Sequence, residues 1–240
     1  MQRYMSNTAL ILRAGAFLII ITLLFIPRAK AFNERENSET EALYQAIDFA
    51  DHEPPPYDLF ERALEGYVQL QHENKLSAKG ILTLIDFRRS ANEKRLWVIN
   101  LKHKKLLYHS LTAHGRNSGD AFARSFSNVP NSNQSSLGFF VTGKTYIGKH
   151  GISLKLHGVE KGINDKAEAR AIVMHGANYV SESYIKKYGR LGRSFGCPAV
   201  PMDLHKQIIP EIANGTCLYI YYPDPSYISS TEFINTVDES

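Results

Sequence analysis

The spacing of apolar residues changes once along the chain, from a helical period near the N-terminus to an extended one. Apolar side chains recur at helical spacing from Leu43 to Ala50 and again from Leu59 to Leu70, with Pro54–Pro56 between the two runs. Each helix is predicted to begin at a polar residue paired with a nearby acid: Ser38 with Glu41, and Asp58 with Glu61. We therefore expect residues 32–75 to form a helical hairpin that packs against the rest of the protein.

From about Leu76 the pattern is that of strands bounded by turns. Strands are predicted over residues 81–87, 96–101, 106–112, 139–142, 152–156, 171–174 and 217–222. One helix is predicted among them, from Leu204 to Ile212, closed by Asn214-Gly215. These elements predict a mainly β domain over residues 76–222, a β-sandwich or mixed barrel-like sheet, followed by a loose polar tail over residues 223–240.

Two segments of this domain have features that a purely structural role does not explain. Residues 113–136 are polar, contain glycine and are too long for a simple connector, which favours a functional loop. In the strand over residues 152–156 the apolar side chains alternate with Ser153, Lys155 and then His157, which predicts one buried face and one wet face. The short buried strand over residues 171–174 is predicted to end directly at His175.

The first 31 residues have the pattern of a secretory signal rather than of the fold. Arg3 and Arg13 precede an apolar stretch, and Ala29-Lys30-Ala31 predicts cleavage after Ala31. A retained membrane anchor is the alternative, although the apolar stretch is short for a span of about 20 residues. We expect an exported protein of the periplasm or cell envelope, with no stable membrane span after cleavage.

Cleavage also changes the charge of the protein. The full chain has 28 basic and 24 acidic residues, and the predicted signal carries four of the basic ones and none of the acidic ones. The mature chain is therefore expected to be neutral overall, which argues against a protein that binds nucleic acid by electrostatic attraction.

The chain has two cysteines, Cys197 and Cys217, and their surroundings differ. Cys217 begins an apolar, strand-like run, where cysteine behaves as a small buried side chain. Cys197 follows Ser194-Phe195-Gly196 and precedes a proline, where no packing purpose is evident. A disulfide between the two remains the alternative in an oxidising compartment.

A cysteine nucleophile needs a base, and His175-Gly176 precedes Cys197 by 22 residues. The glycine at position 196 permits a tight turn, and the backbone amides of Gly196 and Cys197 are predicted to form an oxyanion hole, worth roughly 3–4 kcal/mol per donor. Gly192 to Gly196 also matches the Gly-x-Ser-x-Gly elbow of serine hydrolases, with Ser194 as the rival nucleophile, but the preceding segment is not strand-like. No His-Glu-x-x-His or Cys-x-x-Cys spacing supports a zinc peptidase.

The stretch from His175 to Val200, HGANYVSESYIKKYGRLGRSFGCPAV, resembles the catalytic domain of the L,D-transpeptidases, also called the YkuD-type domain. Its signature is His-Gly, a spacer, and then Ser/Thr-x-Gly-Cys. The resemblance covers about residues 76–222. Many members have histidine before the Gly-Cys pair, whereas this chain has Phe195, which leaves substrate preference less defined than the nucleophile.

The resemblance implies a YkuD-like fold and acyl transfer on peptidoglycan stem peptides, without metal or cofactor. Cys197 would form a thioester and His175 would act as its base, oriented by the Gly176 carbonyl, while Ser194 would shape the site. An amine would resolve the thioester to give a 3–3 cross-link. Hydrolysis, as in an L,D-carboxypeptidase, and a non-catalytic peptidoglycan-binding protein are the alternatives. We expect a monomer.

Four further residues are candidates for substrate binding. Arg190 and Arg193 precede the nucleophile and suit carboxylate recognition, with an internal salt bridge as the alternative. Asn178 and Tyr179 follow the histidine and are expected to line the cleft, with loop packing as the alternative.

Overall fold

The computed structural model describes residues 38–234, so the predicted signal peptide lies outside the described residues. The described chain belongs to two compact units, the first ending at Gln45 and the second beginning at Ala46. In the first unit, residues 38–45 are helical. The predicted helix therefore ends earlier than Ala50, which has a positive φ of 48°, and Ser38 already lies in the helix rather than before it.

The second unit is built on one mixed sheet of eight strands in the order β3-β2-β1-β8-β4-β5-β6-β7. The strands are β1 (Ile81–Asp86), β2 (Leu96–Asn100), β3 (Lys105–Ser110), β4 (Gly138–Gly148), β5 (Gly151–Gly158), β6 (Val173–Ala177), β7 (Ala199–Pro201) and β8 (Cys217–Tyr221). The β1–β8 and β6–β7 pairs are parallel and the other neighbouring pairs are antiparallel. The predicted mainly β class with a mixed sheet is confirmed.

The two outer strands of this sheet, β3 and β7, are brought together by the chain that follows β3. The backbone N–H of Ala113 donates to the carbonyl oxygen of Ala199 at 2.9 Å. The hydroxyl of Thr112 donates to the same oxygen at 3.1 Å. These contacts almost close the sheet into a barrel, and they bring the long loop after β3 to the strand that follows Cys197.

Helix α1 (Tyr57–His72) covers the middle of the sheet, against β1 and β8. Its buried residues follow a helical period: Leu59, Phe60, Ala63, Gly66, Tyr67 and Leu70. A side chain at position 66 would overlap the Phe139 ring, with atoms 2.2 Å apart, so glycine sets the distance between helix and sheet. The helix begins after Pro56, and Asp58 forms an ion pair with Arg88 instead of capping the helix.

Three shorter helices complete the described chain: α2 (Glu182–Tyr188), α3 (His205–Ile212) and α4 (Pro225–Ser230). Only α3 was predicted, because α2 buries none of its residues and so lacks an apolar period. The expected loose tail is instead ordered up to residue 234, since Tyr227 and Phe233 are buried and Thr231 donates to the Glu160 carboxylate at 2.6 Å. Within residues 38–234 no helix has the length and apolarity needed to cross a membrane.

Candidate active site

Strand β6 carries His175 in its interior, between β5 and β7. The sequence predicted a strand over residues 171–174, but Ala171 has a φ of 52° and pairing begins at Val173. His175 is paired with Ser153 of β5 on one side and with Ala199 of β7 on the other. The imidazole therefore stands on a rigid part of the sheet rather than at the end of a strand.

The His175 ring is buried and its orientation is set by its own neighbour in sequence. Its Nδ1 atom lies 3.0 Å from the carbonyl oxygen of Gly176. In the tautomer that this contact selects, Nδ1 donates its proton and Nε2 keeps a lone pair. Position 176 has no room for a side chain, because an added Cβ would lie 2.6 Å from the ring of His205.

A hairpin tip between β4 and β5 brings two further basic residues to the imidazole. The His150 ring stacks on the His175 ring, with centroids 4.5 Å apart and planes 17° from parallel. Burial lowers the pKa of His175, and the positive charge of Lys149 and of a protonated His150 or His205 lowers it further, although the Gly176 carbonyl acts in the opposite direction. The imidazole is thus neutral at pH 7 and able to accept a proton.

The loop that carries Cys197 is shaped by Ser194, whose side chain is buried. The Ser194 hydroxyl donates to the Cys197 carbonyl oxygen at 2.6 Å and accepts the N–H of Gly196 at 3.0 Å. The amide of Gly196 is therefore already bonded inside the loop, which corrects its predicted role as an oxyanion donor. Of the two predicted donors, only the Cys197 amide remains as a candidate.

Cys197 lies two residues before Ala199, beside Val173 of β6. Its thiol, which is partly exposed, donates to the carbonyl oxygen of Ala171 at 3.7 Å. Burial raises the pKa of the thiol, while a backbone contact with Val173 and the charges of Arg170 and Lys149 favour the thiolate. The resting group is therefore a neutral thiol, and the backbone contact and the two cations only partly offset the effect of burial on its anion.

The long loop after β3 holds the nucleophile loop from two sides. On one side, Ser194 donates its N–H to the His114 carbonyl at 2.9 Å and accepts the N–H of Arg116 at 2.8 Å. On the other side, the hydroxyl of Ser135 donates to the Gly196 carbonyl at 3.1 Å. The predicted functional loop therefore supports the turn that presents Cys197.

A buried polar network anchors this loop to the sheet. The Arg95 guanidinium donates to Nδ1 of His114 at 2.8 Å, so His114 is neutral, and its Nε2 lies 3.3 Å from the Gly119 carbonyl oxygen. The same guanidinium donates twice to the Thr112 carbonyl. Burial and the charge of Arg95 lower the pKa of His114 to about 3.

The two arginines predicted to bind substrate both lie against Asp120. Arg193 donates to Asp120 at 2.7 Å and also to the carbonyl oxygens of Arg116 and Gly119. Arg190 lies 3.8 Å from the same carboxylate and donates to the Leu191 carbonyl. These contacts are those of the internal salt-bridge alternative.

Asn178 and Tyr179 differ in their surroundings. Asn178 is exposed just after β6, whereas the Tyr179 ring packs against the apolar cluster that contains Val180 and Leu191. Gly192 approaches this ring so closely that an added Cβ would lie 2.4 Å from the tyrosine Cβ. Burial raises the pKa of Tyr179, and the nearby Cys197 raises it further, which places the phenol in the vicinity of the thiol.

Both cysteines are free thiols, so Cys197 is not locked to Cys217, which is wholly buried on β8. Ser194 is a poor nucleophile here because its hydroxyl is held inside the loop and the preceding residues 190–193 do not form a strand. In the described part of the chain, no three histidine, cysteine, aspartate or glutamate side chains cluster so as to hold a metal ion.

The comparison with protein families decides the assignment. A family model for the L,D-transpeptidase catalytic domain matches residues 52–221, most of the chain. The chain belongs to the L,D-transpeptidase catalytic domain family. Membership in this family supports peptidoglycan L,D-transpeptidation at the level of the family, and a family that acts on peptidoglycan implies a location in the cell envelope. No curated protein matches the sequence.

Several solved structures are similar to the chain. An L,D-transpeptidase from Mycobacterium smegmatis is 12% identical with a TM-score of 0.37, over 60% of this chain and 59% of that one. The helical cell shape determining protein Pgp2 from Campylobacter jejuni is 11% identical with a TM-score of 0.39, and the match covers 60% of this chain and 48% of that one. An L,D-transpeptidase from Xylanimonas cellulosilytica is 13% identical with a TM-score of 0.34, and the match covers 77% of this chain and 91% of that one. The matched region spans less than two thirds of the first two relatives.

The structure adds residues to the candidate site that the sequence did not single out. They are His150, stacked on the His175 ring, Ser135, whose hydroxyl donates to Gly196, Arg170 near the thiol, and the buried Arg95. A buried arginine and a serine in a polar loop have no distinctive spacing. Their roles come from contacts between segments that are far apart in sequence.

Proposed function

We propose that this chain catalyses L,D-transpeptidation of peptidoglycan stem peptides through a thioester on Cys197, with His175 as the base. The observation that carries the proposal is the register of β6 and β7, which aligns His175 with Ala199 and so places Cys197 beside the strand that holds the imidazole. The neutral, Gly176-anchored ring and the partly exposed thiol are complementary partners for proton transfer.

In the first step the Cys197 thiol turns from the Ala171 carbonyl and gives its proton to Nε2 of His175. The sulfur forms a bond to the carbonyl carbon that precedes the terminal D-amino acid. The C–N bond breaks, and the leaving amine takes the proton from the imidazolium. The product is a thioester on Cys197 and a free D-amino acid.

In the second step an amine of another stem peptide attacks the thioester. His175 accepts the proton that the amine loses and returns it to the sulfur as the C–S bond breaks. The result is a new amide and the original thiol. Attack by water in place of the amine gives a shortened stem peptide, which is the L,D-carboxypeptidase alternative.

The charges near the sulfur support this sequence of proton transfers. Arg170 and Lys149 favour the thiolate, and Lys149 also disfavours a resting imidazolium. The base is therefore unprotonated at neutral pH, and the two cations partly offset the effect of burial, which raises the pKa of the Cys197 thiol. A non-catalytic peptidoglycan-binding protein would not need either property.

The test is incubation of the mature protein with tetrapeptide stems, followed by mass spectrometry of the protein and of the stem products. We expect an acyl adduct on Cys197, release of the terminal D-amino acid and a cross-linked product, and none of these for His175→Gln. Shortened stems without cross-links would assign the protein to the carboxypeptidases. Binding of the stems without any adduct would assign it to the non-catalytic alternative.

A further inference from the structure

A cleft of about 330 Å³ lies outside the candidate active site and is not used by the mechanism above. Three segments that are far apart in sequence form its walls: residues 126–128 of the long loop after β3, residues 161–163 after β5, and helix α4 with the residue before it. Its volume is at the lower end of the range for small-molecule sites, about 300–1,000 Å³. The cleft therefore has room for a single compact group rather than for a length of polymer.

The walls are tied to one another, so the cleft exists before any ligand arrives. The Asn128 side chain donates to the Asp165 carboxylate at 2.6 Å, which joins the loop to the segment after β5. The Thr231 hydroxyl, at the end of α4, donates to Glu160 at 2.6 Å, which joins that helix to the same segment. A preformed cleft loses little conformational entropy when it binds a ligand.

One part of the lining is apolar and includes an aromatic ring that is fixed in place. Phe126 is stacked on Phe87, with ring centroids 5.9 Å apart and planes 10° from parallel, and its ring centroid is 5.0 Å from that of Tyr222. The Phe126 side chain is nevertheless only half-buried, and Leu137 and Ile163 line the cleft with it. Such a surface favours a ligand with a flat apolar face.

The rest of the lining is polar and carries no net charge. Lys161 and Asp224 supply one charge of each sign, and hydroxyl and amide groups come from Ser127, Asn128, Ser226 and Ser230. Hydrogen bonds from Ser226 lower the pKa of Asp224, so the carboxylate is ionised at neutral pH. A ligand that matches this lining is neutral and has hydroxyl or amide groups around an apolar face, and the pyranose ring of a sugar has both.

The long loop after β3 joins the cleft to the nucleophile. Ser127, in the cleft wall, donates its N–H to the Ser135 carbonyl at 3.0 Å, and the Ser135 hydroxyl donates to the Gly196 carbonyl at 3.1 Å. Arg170 donates to the carbonyl oxygen of Ser127, and its charge favours the Cys197 thiolate. A ligand in the cleft is thus held by the loop that supports Cys197.

We propose that this cleft binds one N-acetylated sugar ring of the glycan strand that carries the stem peptide. Phe126 would pack against the apolar face of the ring, and Lys161, Asp224 and Ser230 would bind its hydroxyl and acetamido groups. The proposal rests on the proposed function, because it assigns the part of peptidoglycan from which the stem extends. The stem peptide is a poorer match, since its carboxylates would meet no excess of positive charge in the cleft.

The test compares two synthetic stems by kcat/KM for release of the terminal D-amino acid. One is the free tetrapeptide, and the other is the same tetrapeptide attached to a disaccharide of N-acetylglucosamine and N-acetylmuramic acid. The proteins are the wild type, Ser230→Trp, which fills the cleft with an indole, and Ser229→Trp. Ser229 is the matched control because it is exposed on the same helix and does not line the cleft.

We expect the wild type and Ser229→Trp to have about a tenfold higher kcat/KM on the sugar-bearing stem, the size of one charged hydrogen bond. Ser230→Trp should lose this preference and keep the wild-type rate on the free tetrapeptide. Phe126→Leu keeps apolar packing without the ring, should reduce the preference to about threefold, and serves as the test if thermal melts show that Ser230→Trp does not fold. A wild type that treats both stems alike, or a preference that survives in a folded Ser230→Trp, would overturn the subsite.

A second measurement separates the subsite from the proposed function, because it needs no catalysis. Binding of the N-acetylglucosamine dimer to each protein is followed by NMR titration. Saturable binding to the wild type and Ser229→Trp that is lost in Ser230→Trp, without any turnover of stems, would support the subsite and overturn the proposed function. Turnover of the free tetrapeptide with neither dimer binding nor a stem preference would leave the proposed function standing and overturn the subsite alone.

Discussion

The two halves of the sheet are built for different purposes. In one half, every residue of β1 and β8 is buried, and the aromatic rings of Phe139 and Tyr219 stack with centroids 4.1 Å apart. In the half formed by β5, β6 and β7, one face instead carries Lys155 and His175. The first half is an apolar core, and the second holds polar side chains of which Lys155 is exposed and His175 is buried.

The two cysteines show what this difference does to one kind of side chain. Burial raises the pKa of both thiols. At Cys197 two cations and a backbone contact act in the opposite direction, whereas the further influence on Cys217 is the Glu160 carboxylate, which raises its pKa again. The same type of residue is the proposed nucleophile in one half and a packing element in the other.

Exchanging each cysteine for serine should give the largest difference between the two halves of the sheet. We expect Cys197→Ser to lose acylation by a carbapenem by at least about 10³-fold with an unchanged melting temperature. Cys217→Ser buries a hydroxyl and should lower the free energy of unfolding by about 1–3 kcal/mol while acylation persists. Intact mass spectrometry measures acylation, and thermal melts measure stability. A Cys217→Ser protein that stays stable but is no longer acylated would contradict the assignment of a packing role to Cys217.

A smaller effect is expected from the glycine before the nucleophile. Gly196 has a φ of 127°, and an added Cβ would lie 2.8 Å from the Gln134 carbonyl oxygen, so Gly196→Ala must shift the loop. Displacement of the thiol by about 1 Å should reduce acylation by about 10²-fold. Gly189→Ala is the matched control, since its φ is 74° but nothing lies within 4 Å of the added atom. Equal losses in both variants would show that backbone strain, not the contact, matters.

A fall in pH should lower the stability of the fold through His109 and His114, and it should lower acylation through His175. Burial lowers the pKa of His109 to about 4 and that of His114 to about 3. In the unfolded chain both titrate near pH 6.5, so below that pH the unfolded state binds protons that the folded state does not. Unfolding should become easier by about 1.4 kcal/mol per pH unit for each histidine as the pH falls from 6.5 to 4.

Denaturant titrations at several pH values measure this slope. His109→Phe keeps the stack on Trp97, where the ring centroids are 4.9 Å apart, and should remove the contribution of one histidine. Acylation follows a different group, because the lowered pKa of His175 places the loss of activity below pH 6.5. A half-maximal rate above pH 6.5 would contradict the neutral base.

The smallest effects are expected at the two arginines near Asp120. Arg193→Gln removes contacts to two carbonyl oxygens and a carboxylate and should cost about 1–2 kcal/mol of stability, whereas Arg190→Gln should cost less than about 0.5 kcal/mol. Neither should change KM for a stem peptide by more than about twofold. A rise in KM without a change in stability would restore their predicted role in docking the substrate.

Much of the fold was predictable because its strands are short apolar runs with clear turns between them. The hairpin of β2 and β3 follows directly from such a pattern, and α3 follows from three apolar residues at helical spacing. Strand β7 was missed because three residues after Cys197-Pro198 carry no period of their own. It is a strand only because β6 pairs with it.

The candidate site was predictable in its central residues and not in their support. His175 and Cys197 belong to one stretch of sequence with a distinctive pattern, so they were found together. The stack of His150 on His175 joins residues that are 25 positions apart, and the Arg95–His114 contact joins the residue before β2 to a loop. Nothing in local spacing encodes such contacts, since they depend on the assembled sheet.

The near-closure of the sheet has a consequence for the association of one molecule with another through sheet edges. An outer strand normally offers a row of free N–H and C=O groups on which a second sheet can grow into a fibril. Strand β7 is only three residues long, and its outer neighbour at Ala199 is Ala113 of the same chain. The edge of the sheet next to Cys197 is thereby closed to edge-to-edge pairing with the sheet of a second molecule.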